Sequence, residues 1–399
     1  MPSSFFTTEK QVSECAFSVA ELRIKKTADR CRYEMDEITQ RSKRKLDHIK
    51  YALETGDGTR KTGLEQVHFL HNCLTSVEPG KVSLQTHIGN LALPVPVFID
   101  AITGGAEEVR EINRKLARTA RMAGVPMAVG SQYGSVKHGY AADSYTVVRE
   151  EYPDGLLFAN VSALAAPEEA VKAVEMIGAS SLEIHLNAAQ ELLMPEGDTA
   201  FSSLSDNLLR LAEELEMPLI IKETGCGMGR EQIHVLRGMG YTCFDVAGAG
   251  GTSFTAIEAR RSRNVRHEKF AAWGIPTAWS IVEAVQELAP QDTLIASGGI
   301  RSGWQAAQCL ALGADAVSLS GIVLARALEL GEEAAARYLK DIMEDIRDIM
   351  VLTGSRSIGE LQQTPLIFTG EMLDFMQSRG YDPGKKRRKR QNAAGFHTI

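Results

Sequence analysis

The 399-residue sequence has no apolar run approaching the roughly 18 residues that a membrane span needs. No membrane partner is expected. The first residues, MPSSFFTTEK, lack a basic stretch followed by an apolar one. That predicts no secretory signal and a cytoplasmic location. There is no CxxC pair: Cys15, Cys31, Cys73, Cys226, Cys243 and Cys309 are scattered. Such spacing argues against a disulfide frame or a zinc site and for reduced thiols. Cations are outnumbered, with 44 lysines and arginines against 51 acids and a net charge of −7. No nucleic-acid partner is expected from that balance. Six of the cations form one run, KKRRKR from Lys385 to Arg390, so the other 393 residues carry −13.

What is present is ordinary globular material, 44% hydrophobic and 24% charged, which excludes a disordered or fibrous chain. At roughly 150 residues per domain the length allows two or three domains, or one large α/β barrel. Eight apolar, β-branched runs decide between these. They are VPVFIDAIT (95–103), VPMAVGS (125–131), LLFANVSA (156–163), SLEIHLN (181–187), PLIIKET (218–224), CFDVAGA (243–249), TLIASGG (293–299) and AVSLSG (316–321). Helical stretches separate them at the spacing of a strand plus a crossover helix. REINRKLARTARMAG ends at Gly124; SDNLLRLAEELEMP has Ser205 as an N-cap candidate and stops at Pro218. Alternating β and α implies a parallel sheet. Eight repeats, with DAITGGAEEV in place of a GxGxxG after the first run, predict a closed (β/α)₈ TIM barrel rather than an open dinucleotide-binding sheet.

The expected organisation is an N-terminal extension over 1–40, the barrel over 41–370, and a disordered basic tail over 371–399. The helical pattern at 335–352 is expected to close the barrel bottom or to form an oligomer contact. The long gap between the sixth and seventh runs contains EARRSRNVRHEKFAAWGIP, a polar insertion expected as a mobile lid over the mouth.

Barrel active sites gather at the C-terminal ends of the strands, so polar residues there are the candidates. The seventh and eighth units end in Gly298, Gly299, Arg301, Ser320 and Gly321. Glycines admit backbone N–H groups to an anion, and helix N-termini add positive potential. Two such turns on consecutive units read as a phosphate site. The sixth unit, DVAGAGGTSF, adds Thr252. Lys222 lies in an otherwise apolar strand, where a cation needs an anion, a carboxylate or an electron-rich ring. An ion pair with Glu223 or a neighbour is the bland alternative and the less favoured of the two. In LEIHLNAAQELLMPEGD, strand alternation turns Glu183, His185 and Asn187 to the barrel axis, with Gln190 and Glu191 following. Glu191 is a hard oxygen ligand suited to Mg²⁺ shared with a phosphate. Thr103, Ser131, Gln132 and Asn160 end the first three strands. Arg44, Lys45 and His48 precede the barrel and, taken alone, read as a solvated helix face.

These motifs, in this order, resemble the type 2, flavin-dependent isopentenyl diphosphate isomerase family over about residues 41–370. The likeness rests on RKLDH (44–48), DAITGG (100–105), GSQ (130–132), ANVSA (159–163), HLNAAQE (185–191), KETGCGM (222–228), DVAGAGGTSF (245–254) and SGGIRSG (297–303). Tyr133, Cys226 and Gly229 depart from the family pattern. The resemblance implies FMN contacted by Ala101, Ile102, Thr103, Ser131, Asn160 and Lys222, with its phosphate end held by Thr252, Gly298, Gly299, Arg301, Ser320 and Gly321. It implies substrate contacts from Arg44, Lys45, His185, Asn187 and Gln190, with Gln190 assisting proton movement, and Mg²⁺ on Glu191. The implied reaction shifts a double bond between isopentenyl and dimethylallyl diphosphate. Reduced FMN serves as acid and base, and NADPH as its reductant. A homo-oligomer, tetramer or octamer, is also implied. The alternative is an FMN-dependent 2-hydroxy-acid oxidase-like enzyme on a similar barrel, which shares the phosphate turn; HLNxxQE and Arg44-Lys45 argue against it. A non-enzymatic binding module has only KKRRKR to support it, and that run reads more simply as a solvated tail.

Overall fold

In a computed structural model, residues 39–40, 43–54 and 56–384 are described. Eight parallel strands close into a barrel: β1 (Val97–Ile99), β2 (Met127–Ala128), β3 (Leu157–Ser162), β4 (Ser181–Leu186), β5 (Leu219–Glu223), β6 (Cys243–Asp245), β7 (Thr293–Ala296) and β8 (Ala316–Leu319). Each lies within one of the eight expected runs. β8 pairs with β1 through Val317–Val97 and Leu319–Ile99, which closes the ring.

Alternation along the strands sorts side chains between two cores. Outward residues such as Ile99, Leu182, Ile184, Ile221 and Phe244 pack under the surrounding helices. Inward residues Phe98, Ala128, Phe158, Ile220, Cys243, Ile295 and Ala316 fill the lower interior. The next inward layer is polar: Asp100, Asn160, Glu183, Lys222, Asp245, Ser297 and Ser318 are all buried. The barrel is therefore apolar at its base and polar at its mouth.

A hairpin of Thr86–Ile88 and Leu91–Leu93 closes the base. Its Ile88 and Leu93 join the inner apolar cluster. The expected closure by 335–352 is corrected: Glu332–Thr353 is a 22-residue helix of the outer ring, burying Leu339, Ile342, Ile346 and Met350 along one face. Helix Arg110–Ala123 buries Leu116, Ala117, Ala120 and Ala123 and ends at Gly124, whose φ of 71° suits glycine. Ser205 is not an N-cap. That helix runs Leu204–Glu214 with Ser203 at its N-cap, so Ser205 lies inside its first turn.

The insertion expected as a lid is folded. Phe254–Ser262 and Val265–Glu268 are helices, and Ile257, Glu258 and Ala259 are buried. The tail expected from residue 371 is also corrected. Gly370–Ser378 is a helix with Met372 and Met376 buried. Tyr381 is buried too, and Arg379 pairs with Glu283 at 2.7 Å. Apolar anchors at four-residue spacing outweigh the polar look of this stretch. Most of the N-terminal extension and the KKRRKR run lie outside the described residues. Among the described residues, no helix is long and apolar enough to cross a membrane.

Candidate functional site

A cavity of about 330 Å³ opens at the C-terminal ends of the strands. Residues 43–54, a helix that precedes the barrel, lie across its mouth and contribute Arg44, Lys45 and His48 to its wall. All the residues singled out for cofactor, substrate or metal line this one space.

One end is made of backbone. Gly298 and Gly299 have φ of 100° and 75°. A Cβ on Gly298 would sit 2.0 Å from the Gly248 carbonyl oxygen, and one on Gly299 2.1 Å from that of Gly250. The turns after β6 and β7 therefore interlock backbone to backbone, which only glycine permits. Ser320 caps helix Gly321–Glu329 without a side-chain hydrogen bond, so the first-turn N–H groups at the cavity keep their donor capacity. The Thr252 hydroxyl lies beside Gly321. Arg301 lines the same end of the cavity. Its Nε donates to Asp57 Oδ2 at 2.6 Å, and its Nη2 meets the other carboxylate oxygen. Its charge is thus paired within the protein rather than presented singly to a phosphate.

The facing wall comes from β1, β2 and β3. Ala101, Ile102 and Thr103 follow β1, and Ser131 follows β2. The Thr103 hydroxyl is buried without a hydrogen-bond partner. Such an orphan in a cavity wall is the kind of group a ligand completes. Gln132 instead turns into the fold, donating to the Ala173 carbonyl at 2.7 Å and accepting from the Asn160 N–H at 3.1 Å.

Beneath the cavity sits a charge cluster. Lys222 Nζ lies 3.6 Å from Asp100 Oδ2 and donates to the Glu223 backbone carbonyl at 3.0 Å. Its ion-pair partner is Asp100, not Glu223. Burial alone would lower the lysine pKa; Asp100, Asp245 and Glu183 outweigh it and hold the ammonium above its ordinary range. Burial pushes Asp245 up to about 6, and Lys222 opposes it only in part. Burial and the nearby Asp100 raise Glu183 well above the usual carboxylate range.

The remaining wall comes from β4 and the helix after it. His185 Nδ1 lies 2.9 Å from Asn160 Oδ1. Burial, with Lys222 and Lys45 nearby, lowers its pKa to about 3, so the imidazole is neutral. Asn187 Nδ2 donates to Glu191 Oε1 at 2.8 Å and reaches Gln190 Oε1 at 3.4 Å. The other Glu191 oxygen accepts from the Asp198 N–H at 2.8 Å. Among the described residues no group of three or more His, Cys, Asp or Glu could hold a metal ion alone. Arg44 points Nη1 at Met194 Sδ, 3.5 Å away.

Sequence reasoning missed Asp57, Asp100, Asp245 and Glu258. Asp100 and Asp245 were signalled as acids inside apolar runs. Glu258 is fully buried and accepts from His48 Nε2 at 2.7 Å. Burial would raise its pKa; His48 and Arg261 outweigh that and keep it ionised. Phe254 lines the cavity from the same helix. Of the departures, Tyr133 lines the cavity, whereas Cys226 is fixed through its backbone N–H to Glu223.

Residues 148–367 match a family model described as FMN-dependent dehydrogenase. A protein of Bacillus licheniformis named isopentenyl-diphosphate delta-isomerase is 41% identical over 344 residues, 86% of this chain and 98% of that protein. One of the same name from Moorella thermoacetica is 40% identical over 343 residues, again 86% and 98%. Among solved structures, an oxidised active mutant of (S)-mandelate dehydrogenase superposes with a TM-score of 0.59 at 17% identity, covering 84% of this chain and 99% of that one. A mandelate oxidase mutant carrying a monooxide FMN adduct gives 0.55 at 17% identity, covering 77% and 90%. The structural likeness establishes the fold alone.

Proposed function

This chain belongs to the isopentenyl-diphosphate delta-isomerase family, and from that premise we propose that it interconverts isopentenyl and dimethylallyl diphosphate in isoprenoid biosynthesis. The observation that carries the reading is the convergence of every nominated residue on one cavity. The wall suits FMN: interlocked glycine turns offer backbone N–H groups at one end, and the orphan Thr103 hydroxyl awaits a partner at the other. Bound and reduced, FMN would supply the acid and base near its N5, with NADPH as the reductant. Mg²⁺ fits only when shared, since Glu191 is one carboxylate and the substrate diphosphate would complete the shell.

The chain's own residues do the rest. Arg44 and Lys45 meet the diphosphate from the helix above. Asn187 holds the Glu191 carboxylate in place through its amide. Gln190 orients the substrate and assists proton movement. The cavity-facing helices, at 43–54 and Phe254–Ser262, exclude water from a hydrocarbon that becomes cationic in passage. One proton is added at the terminal carbon and one removed from C2, so the reaction is redox-neutral. In keeping with the family reading, the protein acts in the cytoplasm as a homo-oligomer, tetramer or octamer.

The test is stoichiometric. The purified protein is expected to be yellow. Under anaerobic conditions, with Mg²⁺ and a trace of NADPH, isopentenyl diphosphate is converted without net NADPH loss. NADPH oxidised in step with turnover would overturn the isomerase reading in favour of an oxidoreductase.

A further inference from the structure

Between the cavity and the apolar base lies a carboxyl that the reaction above leaves unused. Glu183 is fully buried. Its Oε2 accepts from Asn160 Nδ2 at 2.8 Å, and its Oε1 has no partner. The Asn160 oxygen faces His185 Nδ1 at 2.9 Å. Strand register builds this chain: Asn160 stands opposite Glu183 and Ser162 opposite His185, so all three inward side chains stack in sequence.

A carboxamide has one donating end and one accepting end. With its NH₂ committed to Glu183, only its oxygen remains for the imidazole. An oxygen accepts, so Nδ1 must carry the proton. In a neutral ring Nε2 then holds a lone pair.

We propose that Glu183 is a positioning residue for His185: by holding the Asn160 amide it fixes the imidazole as the Nδ1–H tautomer and leaves Nε2 as an acceptor for the cavity. The surroundings keep this arrangement neutral. Asp100 and Asp245 face Glu183 from β1 and β6, against Lys222 from β5, and favour its acid form; with the proton on the partnerless Oε1, Oε2 still accepts from Asn160. Lys222, Lys45 and Arg44 face His185 and disfavour imidazolium, against the Val161 carbonyl, which favours a ring N–H. The consequence for binding rests on the diphosphate reading of the cavity. A lone pair set directly against phosphate oxygens would repel them. Nε2 therefore engages the substrate through a water, which donates one hydrogen to the ring and the other to the diphosphate.

The test uses FMN-loaded protein labelled with ¹⁵N at histidine only, with the His185 signals assigned by their loss in His185→Gln. Wild type is expected to show the proton on Nδ1. Glu183→Gln keeps an acceptor oxygen for Asn160 and is expected to preserve tautomer and kinetics. Glu183→Leu releases the amide, which turns its NH₂ to Nδ1 and moves the ring proton to Nε2. KM for isopentenyl diphosphate then changes about tenfold while kcat stays within about threefold. Should the leucine variant not fold, Glu183→Met removes the acceptor in an unbranched side chain and reads the same shift. A wild-type proton on Nε2 overturns the proposal, as does an unmoved tautomer in the Leu and Met variants, or equal damage from Gln and Leu. Absence of isomerase turnover in wild type would sink the proposed function but leave the tautomer result standing.

Discussion

Glu223 follows Lys222 on β5 but has a different part. Its half-buried carboxylate accepts from the Thr224 N–H at 2.6 Å and from that of Cys226. Burial pushes its pKa up to about 7, with those N–H groups offsetting only part of the rise. The unfolded value is near 4.3, so the folded state binds this proton more tightly. Folding stability is therefore lost as pH rises from about 4 to about 7, and retained below that window. Asp245, at about 6, acts in the same direction. Glu223→Gln removes the titration. Its Tm is expected to fall less than that of wild type between about pH 5 and about pH 8; equal falls would place the effect elsewhere. At this scale the sequence was legible wherever position alone marks a residue. Lys222 and the glycines after β7 stand at strand ends, where barrel chemistry gathers. Partners were not legible. Asp57 meets Arg301 from 244 residues away and Glu258 meets His48 from 210, and composition carries no trace of such pairing.

Helix Gly370–Ser378 gives the element scale its sharpest case. It is short and stands beside a polar tail in the sequence, yet Met372 and Met376 sit in the main core. Emptying each such site costs about 2–5 kcal/mol, and the two together rival the roughly 5–15 kcal/mol by which a fold is stable. Removing the segment also strips Arg379 and Tyr381 from the buried Glu283. A chain ending after residue 384 is expected to keep wild-type flavin content and turnover. One ending after residue 369 is expected to be insoluble or to unfold far below wild type, and a wild-type Tm for it would refute the packing argument. The eight strands were legible because each is an unbroken apolar run between helices of clear period. This helix was not, because its apolar positions, Met372, Leu373, Phe375 and Met376, span little more than one turn beside a polar tail. The base-closing hairpin was missed for a similar reason: its strands of three residues each are shorter than any alternation can establish.

For the whole molecule, the prior of two or three domains gives way to one barrel onto which the described flanking segments, 43–54 and 370–384, pack. Because the cavity draws its walls from every quarter of the ring, occupancy is felt by the entire fold. Stripping the flavin is expected to lower the Tm of a single transition, and FMN at a hundredfold excess over its Kd to restore about 2.7 kcal/mol. An unfolding curve indifferent to added FMN would contradict binding in this space.

Arg261 ties three segments together, pairing with Asp47, Glu196 and Glu258. This has a consequence in time. On the ribosome, the helix bearing Arg44 and Lys45 is made first, yet its anchors at Glu258 and Arg261 emerge more than two hundred residues later. Until then the ion pairs of His48 with Glu258 and of Asp47 with Arg261 cannot form. The mouth is thus completed late in synthesis, after the strands beneath it.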